Sequence, residues 1–295
     1  MYNFVGSTAI LKTALIDGKR VFERAYICLK ACKEGFRSGC MPLLGFDGCF
    51  LKGYTHGMLL AAICIDSNNS QYPVAFDVVE KENTSTWKIW FLRLLREDLD
   101  VQNTARFTMM TDKQKGLEKA LADTFPGAEH RFCVRHLHAN FKTDGHSSLA
   151  LKQMLWGCAK ATTEPEFKRQ MQELKDEDEK AFDWLVKKPV SQWSKSGFRL
   201  NVKCDMLLNN MCESFNAAIM PARDKPIITL LERIRFWLMC RFATKRNDAQ
   251  KWVNVVGNRI MRIIENHKHI AKHCMPTNVG NGKFQVIELF DLILF

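Results

Sequence analysis

Three carboxylates in this 295-residue chain, Asp47, Asp112 and Glu213, are the residues best suited to do chemistry together. Carboxylate oxygens are the ligands that Mg²⁺ prefers, and the bound ion keeps several of its waters. Two such ions about 4 Å apart can activate a nucleophile and stabilise the leaving oxygen in an in-line displacement at phosphorus. If the fold brings the three side chains together, the sequence predicts a two-metal site for phosphoryl chemistry.

Each acid taken alone has an ordinary structural explanation. Asp112 stands between an apolar run and an amphipathic segment, in MMTDKQKGLEKAL, where an N-cap for the following helix is an obvious role. A single Asp beside a strand more often forms a cap or turn than a metal site. Four further acids compete for the metal role: Asp66, Asp77, Glu80 and Glu82. Only the joint placement of three acids favours the catalytic interpretation.

The elements that must position these acids alternate between strands and helices over residues 42–139. The runs PLLGFDGCFL, GMLLAAICID and YPVAFDVVE predict three strands, a helix follows a cap at Thr84 or Ser85, and RFTMM predicts a fourth strand. A helix from Lys115 to Thr124 and a strand near EHRFCVRHL follow. This order predicts an α/β fold, an RNase H-like mixed sheet flanked by helices. In such a fold, acids at the first strand, beside the fourth strand and on a late helix converge.

The third acid arrives on a helix, since Glu213 lies in a helical segment that begins near Leu207. At about 100° per residue, Asn209 and Asn216 project close to Glu213 and form one polar stripe with it. The apolar stripe that packs this helix consists of Met211, Phe215 and Ile219. Glu213 can therefore face a site while its helix stays anchored.

The predicted domain organisation follows from these elements. The gap from Asp47 to Asp112 is 65 residues and the gap from Asp112 to Glu213 is 101 residues, so the second gap has room for an insertion. The predicted segments are a partial helical lead-in at 1–39, the first part of the core at 40–141, an all-helical insertion at 142–205, the Glu213 helix and a basic helix completing the core at 206–250, and a C-terminal extension at 251–295. The lead-in is predicted helical around Phe22, Tyr26 and Leu29.

The charge of the chain favours a polyanionic partner. The net charge is +11 and the isoelectric point is near 9.1. Residues 223–272 hold 12 Lys and Arg against 4 Asp and Glu, a local excess of eight positive charges. A solvated helix face is the alternative explanation for such a run. The candidate DNA contacts are Lys113, Lys115, Arg135, Arg223 and Lys225.

The cysteines and the hydropathy pattern narrow the cellular setting. Eleven cysteines without a C-x-x-C pair indicate a reducing compartment rather than a disulfide framework. No run of 18 apolar residues predicts a transmembrane helix. Early charges at Lys12, Asp17, Lys19 and Arg20 argue against a signal peptide.

Several separate motifs, in order, make the chain resemble the transposases of plant Mutator-like elements, the MuDR group. The resemblance extends over roughly residues 20–290. The matching stretches are GCMPLLGFDGCFLKG, LLAAICIDSNNSQYPVAFDVVEKENTSTWKIWFLRLLREDL, TDKQKGLEKAL, FPGAEHRFCVRHLHANF and KCDMLLNNMCESFNAAIMPARDKPIITLLERIRFWLM.

The resemblance implies a DDE-type cut-and-paste transposase core with an RNase H-like fold. By motif, it implies that Asp47, Asp112 and Glu213 are the catalytic acids and the ligands of two Mg²⁺ or Mn²⁺ ions. A family C-x-x-H signature falls on Cys133 and His136, with no fixed role. The implied partners are transposon ends and target DNA, with a homo-oligomer and a nuclear location also expected and no membrane.

Zinc is not supported by the sequence patterns. Cys133 and His136 with His138 give too few ligands for a standard zinc module. A second cluster, made of His267, His269, His273 and Cys274, also lacks standard spacing and is interpreted as part of a basic surface helix. The N-terminal DNA-binding zinc domain and the C-terminal SWIM-type finger of full-length relatives lack counterparts here, so a core fragment, a truncated element or a partial gene model is expected.

Two functional classes stay open at this point. The first is a transposase core that cuts and joins DNA strands. The alternative is a domesticated or inactive transposase derivative that binds DNA and regulates transcription. The three retained acids favour enzymatic ancestry, and a relic inactivated by truncation is compatible with the same residues.

Overall fold

A computed structural model describes residues 5–54, 56–112 and 116–288 of the chain. The chain forms two compact units, one made of residues up to 66 together with 70–239, the other of 67–69 together with residues from 240 onward. The strands of the first unit are β1 (Thr8–Ile16), β2 (Lys19–Cys28), β3 (Leu43–Phe50), β4 (Met58–Ile65), β5 (Gln71–Val79), β6 (Thr108–Thr111) and β7 (Glu129–Phe132).

These seven strands form one mixed sheet in the order β1-β2-β5-β4-β3-β6-β7. Strands β3, β6 and β7 run parallel, and the other pairs are antiparallel. All eight residues of β4 are buried, as expected of a continuous apolar run at the centre of a sheet. The predicted α/β mixed sheet is confirmed, and its arrangement is compatible with an RNase H-like fold.

The prediction of a helical lead-in is wrong for the hairpin formed by β1 and β2. A two-residue turn at Asp17 and Gly18 joins these strands, and both residues have positive φ, as a type I′ turn requires. The Asp-Gly pair was the sequence signal for this hairpin. Tyr26 is fully buried in the core from β2, so this residue lies on a strand and not on a helical turn.

Helices cover both faces of the sheet. A π-helical segment, Thr86–Leu92, leads into α2. Trp87 and Phe91 of that segment pack on Phe46 and Tyr26 of the sheet. The helices of the first unit are α1 (Lys30–Gly39), α2 (Arg93–Leu99), α3 (Leu117–Thr124), α4 (Val134–Thr143), α5 (Leu149–Lys160), α6 (Glu164–Glu177), α7 (Glu179–Val186), α8 (Asn210–Ala218) and the first part of α9 (Ile227–Gln250).

Residues 142–205, all of them described, contain helices and no strand. Helices α5, α6 and α7 share a core with the inner face of α4, and this core includes Phe141, Leu155 and Trp193. A buried ion pair connects the end of this segment to the sheet. Arg131 donates to Glu129 Oε2 at 2.8 Å and to the Cys204 carbonyl at 2.6 Å. This contact fixes the chain shortly before α8.

The second unit contains α10 (Asn258–Ala271) and a hairpin of β8 (Cys274–Gly280) and β9 (Lys283–Glu288). Asn68 Oδ1 accepts a hydrogen bond from the Arg259 amide at 3.0 Å within this unit. Across the described part of the chain, no helix combines the length and the apolar character needed to cross a membrane.

Candidate functional site

Asp47 lies on β3, on the face of the sheet that α8 covers. The register pairs Asp47 with Ala61, and Ala61 with Phe76, so these side chains share one face. Helix α8 packs against β3, β4 and β5. Gly45 is on the same face, and a Cβ there would lie 2.5 Å from Asn209 Oδ1. The missing side chain at this position lets α8 approach the strand closely.

Two hydrogen bonds orient the Asp47 carboxylate. The amide of Gly48 donates to Oδ1 at 2.9 Å, and Nδ2 of Asn216 donates to Oδ2 at 2.7 Å. Asn216 belongs to α8, so this bond joins the helix to the strand. Asn216 belongs to the predicted polar stripe of Glu213, and the spacing of that stripe carries no signal for the bond to Asp47.

Asp112 is the first residue after β6, beside Asp47. The parallel register aligns Phe46 with Thr111, so the next residues, Asp47 and Asp112, stand at neighbouring positions. The N-cap explanation for Asp112 is wrong, because the N-cap position of α3 is Gly116, four residues later. The carboxylate therefore does not cap α3.

Glu213 lies in the first turn of α8, one turn before Asn216. Asn209, at the N-cap position, donates from Nδ2 to the Phe46 carbonyl at 3.1 Å. Because Asn209 and Asn216 both bond to β3, the polar stripe predicted for this helix faces the strand that carries Asp47. Glu213 stands on the same stripe, so α8 covers the Asp47 face of the sheet and not the opposite one.

The Glu213 carboxylate forms an ion pair with Arg135 of α4. The same guanidinium donates to Asn210 Oδ1 at 3.1 Å. The two side chains are 51% and 35% exposed, so the pair stands at the rim of the site. Arg135 is one of the predicted DNA contacts, and helical periodicity carries no signal for its ion pair with Glu213, 78 residues away.

Three of the four competing acids lie away from Asp47 and Asp112, and the fourth lies close to Asp47. Asp66 accepts a hydrogen bond from the Ser70 amide in a turn, and Glu80 pairs with Arg24. Asp77 aligns with Leu60, one position off the register of Asp47, and points to the opposite face of the sheet. The fourth is Glu82, which approaches Gly48: a Cβ on this glycine would lie 2.7 Å from Glu82 Oε2.

Asp112 and Glu82 lie close enough to Asp47 to act on its ionisation. Burial, followed by the charge of Asp112, raises the pKa of Asp47 to about 7, and Glu82 acts in the same direction. Two carboxylates that must be ionised side by side repel each other, and a nearby cation would relieve that repulsion. The electrostatics of the site therefore suit a bound cation.

Cys133 and His136 of the C-x-x-H signature lie beside Asp112. Cys133 follows β7, and His136 Nδ1 is 2.8 Å from Asp112 Oδ1. The Asp112 carboxylate, and then Cys133, raise the pKa of His136 to about 10. Burial opposes ionisation of Cys133, but bonding to His136 and to the Asn209 amide lowers the pKa of its thiol below the ordinary value. His138 is not part of this group.

Two of the predicted DNA contacts, Arg223 and Lys225, bond to other residues of the chain. Arg223 donates from Nε to the Phe50 carbonyl at 2.8 Å, and Lys225 pairs with Asp224 at 2.7 Å. Lys113 and Lys115 lie outside the described residues. Of the C-terminal cluster, the two exposed histidines His267 and His269 lie on α10, whereas Cys274 begins β8. The predicted basic surface helix thus accounts for part of that cluster.

Comparison with known proteins identifies the domain that carries the two aspartates. No curated protein matches the chain. A family model described as the MULE transposase domain matches residues 43–140, which include β3 with Asp47, Asp112 and the C-x-x-H residues. Over these residues, the chain is similar to the transposase domain of Mutator-like elements.

Proposed function

We propose that the chain is the catalytic core of a DDE-type DNA transposase that cleaves and joins DNA strands. The observation that carries the proposal is the arrangement of Asp47, Asp112 and Glu213. The two aspartates occupy neighbouring positions on parallel strands, and the helix of Glu213 covers the same face. The family match and the strand order β5-β4-β3-β6-β7, read as an RNase H-like core with a helical insertion at 142–205, support it further.

The three acids Asp47, Asp112 and Glu213 suit divalent cations. Their donors are hard oxygens, which suit Mg²⁺ or Mn²⁺. Burial and the charge of Asp112 raise the pKa of Asp47, and a bound cation would relieve the repulsion between the two carboxylates. Asp47, Asp112 and Glu213 would hold the ions. When bound, such ions activate a nucleophile and stabilise the leaving oxygen at phosphorus.

The residues around the acids have supporting roles in this proposal. Asn216 and the Gly48 amide hold Asp47 in one orientation. Arg135 forms an ion pair with the Glu213 carboxylate, so this ion pair must break before Glu213 can bind a metal ion. The net charge of +11 attracts the DNA backbone. A nuclear location follows as part of the same proposal, since the DNA substrate is there.

The test is Mg²⁺-dependent nicking of a labelled DNA duplex by the purified chain. The variants Asp47→Asn, Asp112→Asn and Glu213→Gln are expected to lose nicking by at least about 100-fold while still binding DNA, because each weakens a metal ligand without removing a cation. Asp77→Asn, which changes an acid on the opposite face of the sheet, is the matched control and should nick like the wild type.

Two results would oppose the proposal. Equal nicking by the wild type and Asp112→Asn would show that Asp112 has no catalytic role. DNA binding without any nicking by the wild type would instead favour a DNA-binding derivative that has lost catalysis.

A further inference from the structure

The residues Asp112, Cys133 and His136 form a compact group of three different metal-ligand types. One ligand atom from each lies within 4.8 Å of the others, and among the residues that the structure describes this is the only such group of His, Cys, Asp or Glu. The parallel register aligns Thr111 with Phe132, so Asp112 and Cys133 both follow directly after neighbouring strands. His136 is three residues further, on the first turn of α4.

Two atoms of this group are buried and face each other. Asp112 Oδ1 and His136 Nδ1 are 2.8 Å apart, within ion-pair distance, without a hydrogen bond of normal geometry to any described residue. An imidazole nitrogen must give up its proton to act as a metal ligand, so a cation bonded to both atoms would take the place of the proton between them.

The ligand types select the class of cation. A thiolate sulfur is a soft ligand that Mg²⁺ avoids, and a set of sulfur, imidazole nitrogen and carboxylate oxygen suits Zn²⁺. Three protein ligands leave a fourth tetrahedral position open. His136 is 40% exposed on its side chain, so the group is open to solvent on one side while Cys133 is fully buried on the other.

We propose that Asp112, Cys133 and His136 bind one Zn²⁺ ion. This is a site for a thiophilic metal, distinct in chemistry from the oxygen-only site proposed for Mg²⁺, and it connects to that site through Asp112. A carboxylate has two oxygens, so one can bind zinc while the other stays available to the neighbouring acids. The zinc ion then fixes the position of Asp112, and zinc binding itself does not depend on DNA cleavage.

The sequence patterns gave no support for zinc because the third ligand is remote. Asp112 precedes Cys133 by 21 residues, and only the parallel pairing of β6 with β7 brings the two together. A C-x-x-H pair alone has two ligands, which is too few for a zinc module.

The test is a titration of the metal-free full chain with Zn²⁺ in competition with a chromophoric chelator, without DNA and without magnesium. One equivalent is expected to bind. With Co²⁺ as a spectroscopic substitute, a sulfur-to-cobalt charge-transfer band is expected. His136→Gln and Asp112→Asn should each weaken Zn²⁺ binding by about tenfold or more, and Cys133→Ser should also abolish the charge-transfer band.

Matched controls separate this site from binding elsewhere. His138→Gln changes a second histidine of the same helix, and Cys158→Ser changes a buried cysteine outside the group. Both should bind Zn²⁺ like the wild type. Circular dichroism of each metal-free variant checks its fold, and the partly exposed His136 keeps the test informative if Cys133→Ser misfolds.

The proposal is overturned if the wild type binds no Zn²⁺, or if His136→Gln binds one equivalent as tightly as the wild type. Loss of binding in His138→Gln to the same extent would also contradict it. None of these outcomes depends on nicking, so a failure of the zinc site and a failure of the proposed transposase activity can be told apart.

Discussion

Arg135 of α4 holds the carboxylate of Glu213 of α8 in an ion pair. A metal ion bound by Asp47, Asp112 and Glu213 would compete with this arginine for the Glu213 carboxylate. Arg135→Gln is therefore expected to strengthen binding of Mn²⁺ by about two- to fivefold, since a partly exposed ion pair contributes up to about 1 kcal/mol. Electron paramagnetic resonance of free Mn²⁺ measures the affinity.

The control for this experiment is Arg169→Gln, which removes a similar ion pair with Glu173 on α6. It should leave Mn²⁺ affinity unchanged. Weaker or equal binding in Arg135→Gln would mean that Glu213 is not a ligand or that the arginine does not compete for it.

The close approach of α8 to β3 depends on Gly45. A Cβ at this position would lie 2.5 Å from both Asn209 Oδ1 and Met211 Cε, and 3.0 Å from Cys212 Sγ. Gly45→Ala must displace the side chains of Asn209 and Met211 or move the helix outward, so we expect a loss of about 1–3 kcal/mol in the free energy of unfolding. Displacement of Glu213 should weaken Mn²⁺ binding as well.

Urea denaturation measures the stability effect of Gly45→Ala. Gly39→Ala is the control, because a Cβ there would have no atom within 4 Å. Unchanged stability in Gly45→Ala would show that α8 is not held at the distance described.

Asp77 makes the stability of the fold depend on pH. Burial raises the pKa of this carboxyl well above its ordinary value, although Arg24 acts in the opposite direction. The folded state then keeps a proton that the unfolded chain releases above about pH 4, so this residue lowers stability as pH rises toward the folded pKa. Asp77→Asn removes that loss.

We expect Asp77→Asn to match the wild type near pH 4 and to exceed it by about 1–3 kcal/mol in the free energy of unfolding near pH 7. Urea denaturation at both pH values provides the measurement. A variant that is less stable at pH 7 than the wild type would show that the Asp77 carboxylate is ionised and well paired with Arg24.

Binding of duplex DNA should depend steeply on salt. Each phosphate contact releases counterions, so about 6–10 contacts would reduce affinity by about 10³–10⁵ between 50 and 200 mM salt. Lys225→Ala should reduce the salt slope by about one if that lysine meets a phosphate. Filter binding across a salt series measures the slope. Lys168→Ala on α6, whose lysine pairs with Glu164, is the control and should leave it unchanged.

The sequence was informative where local patterns determine structure. The unbroken apolar run of β4 and the polar stripe of Glu213 with Asn209 and Asn216 both predicted what the structure has. These signals are periodicities, which follow from strand and helix geometry alone. The parallel neighbours Asp47 and Asp112 followed from the order of the elements.

The failures arose where partners are distant or where a local signal was ambiguous. Asp112 before an amphipathic segment has the pattern of an N-cap, yet the helix begins after Gly116. The contact of Asp112 with His136 and the ion pair of Arg135 with Glu213 depend on how strands and helices assemble, and no spacing in the sequence encodes them. The hairpin at Asp17 and Gly18 was encoded locally but was outweighed by apparent helical spacing.

The β1–β2 hairpin covers the β5 edge of the sheet. Strand β2 pairs with β5 through Ala25, Tyr26 and Ile27, and β5 would otherwise be an open edge of almost wholly buried residues. An edge of this kind offers unpaired amides and carbonyls to another chain and promotes aggregation. The family-matched segment 43–140 begins after this hairpin and ends before α8. Expressed alone, that segment should precipitate, so the unit of folding is larger than the unit of homology.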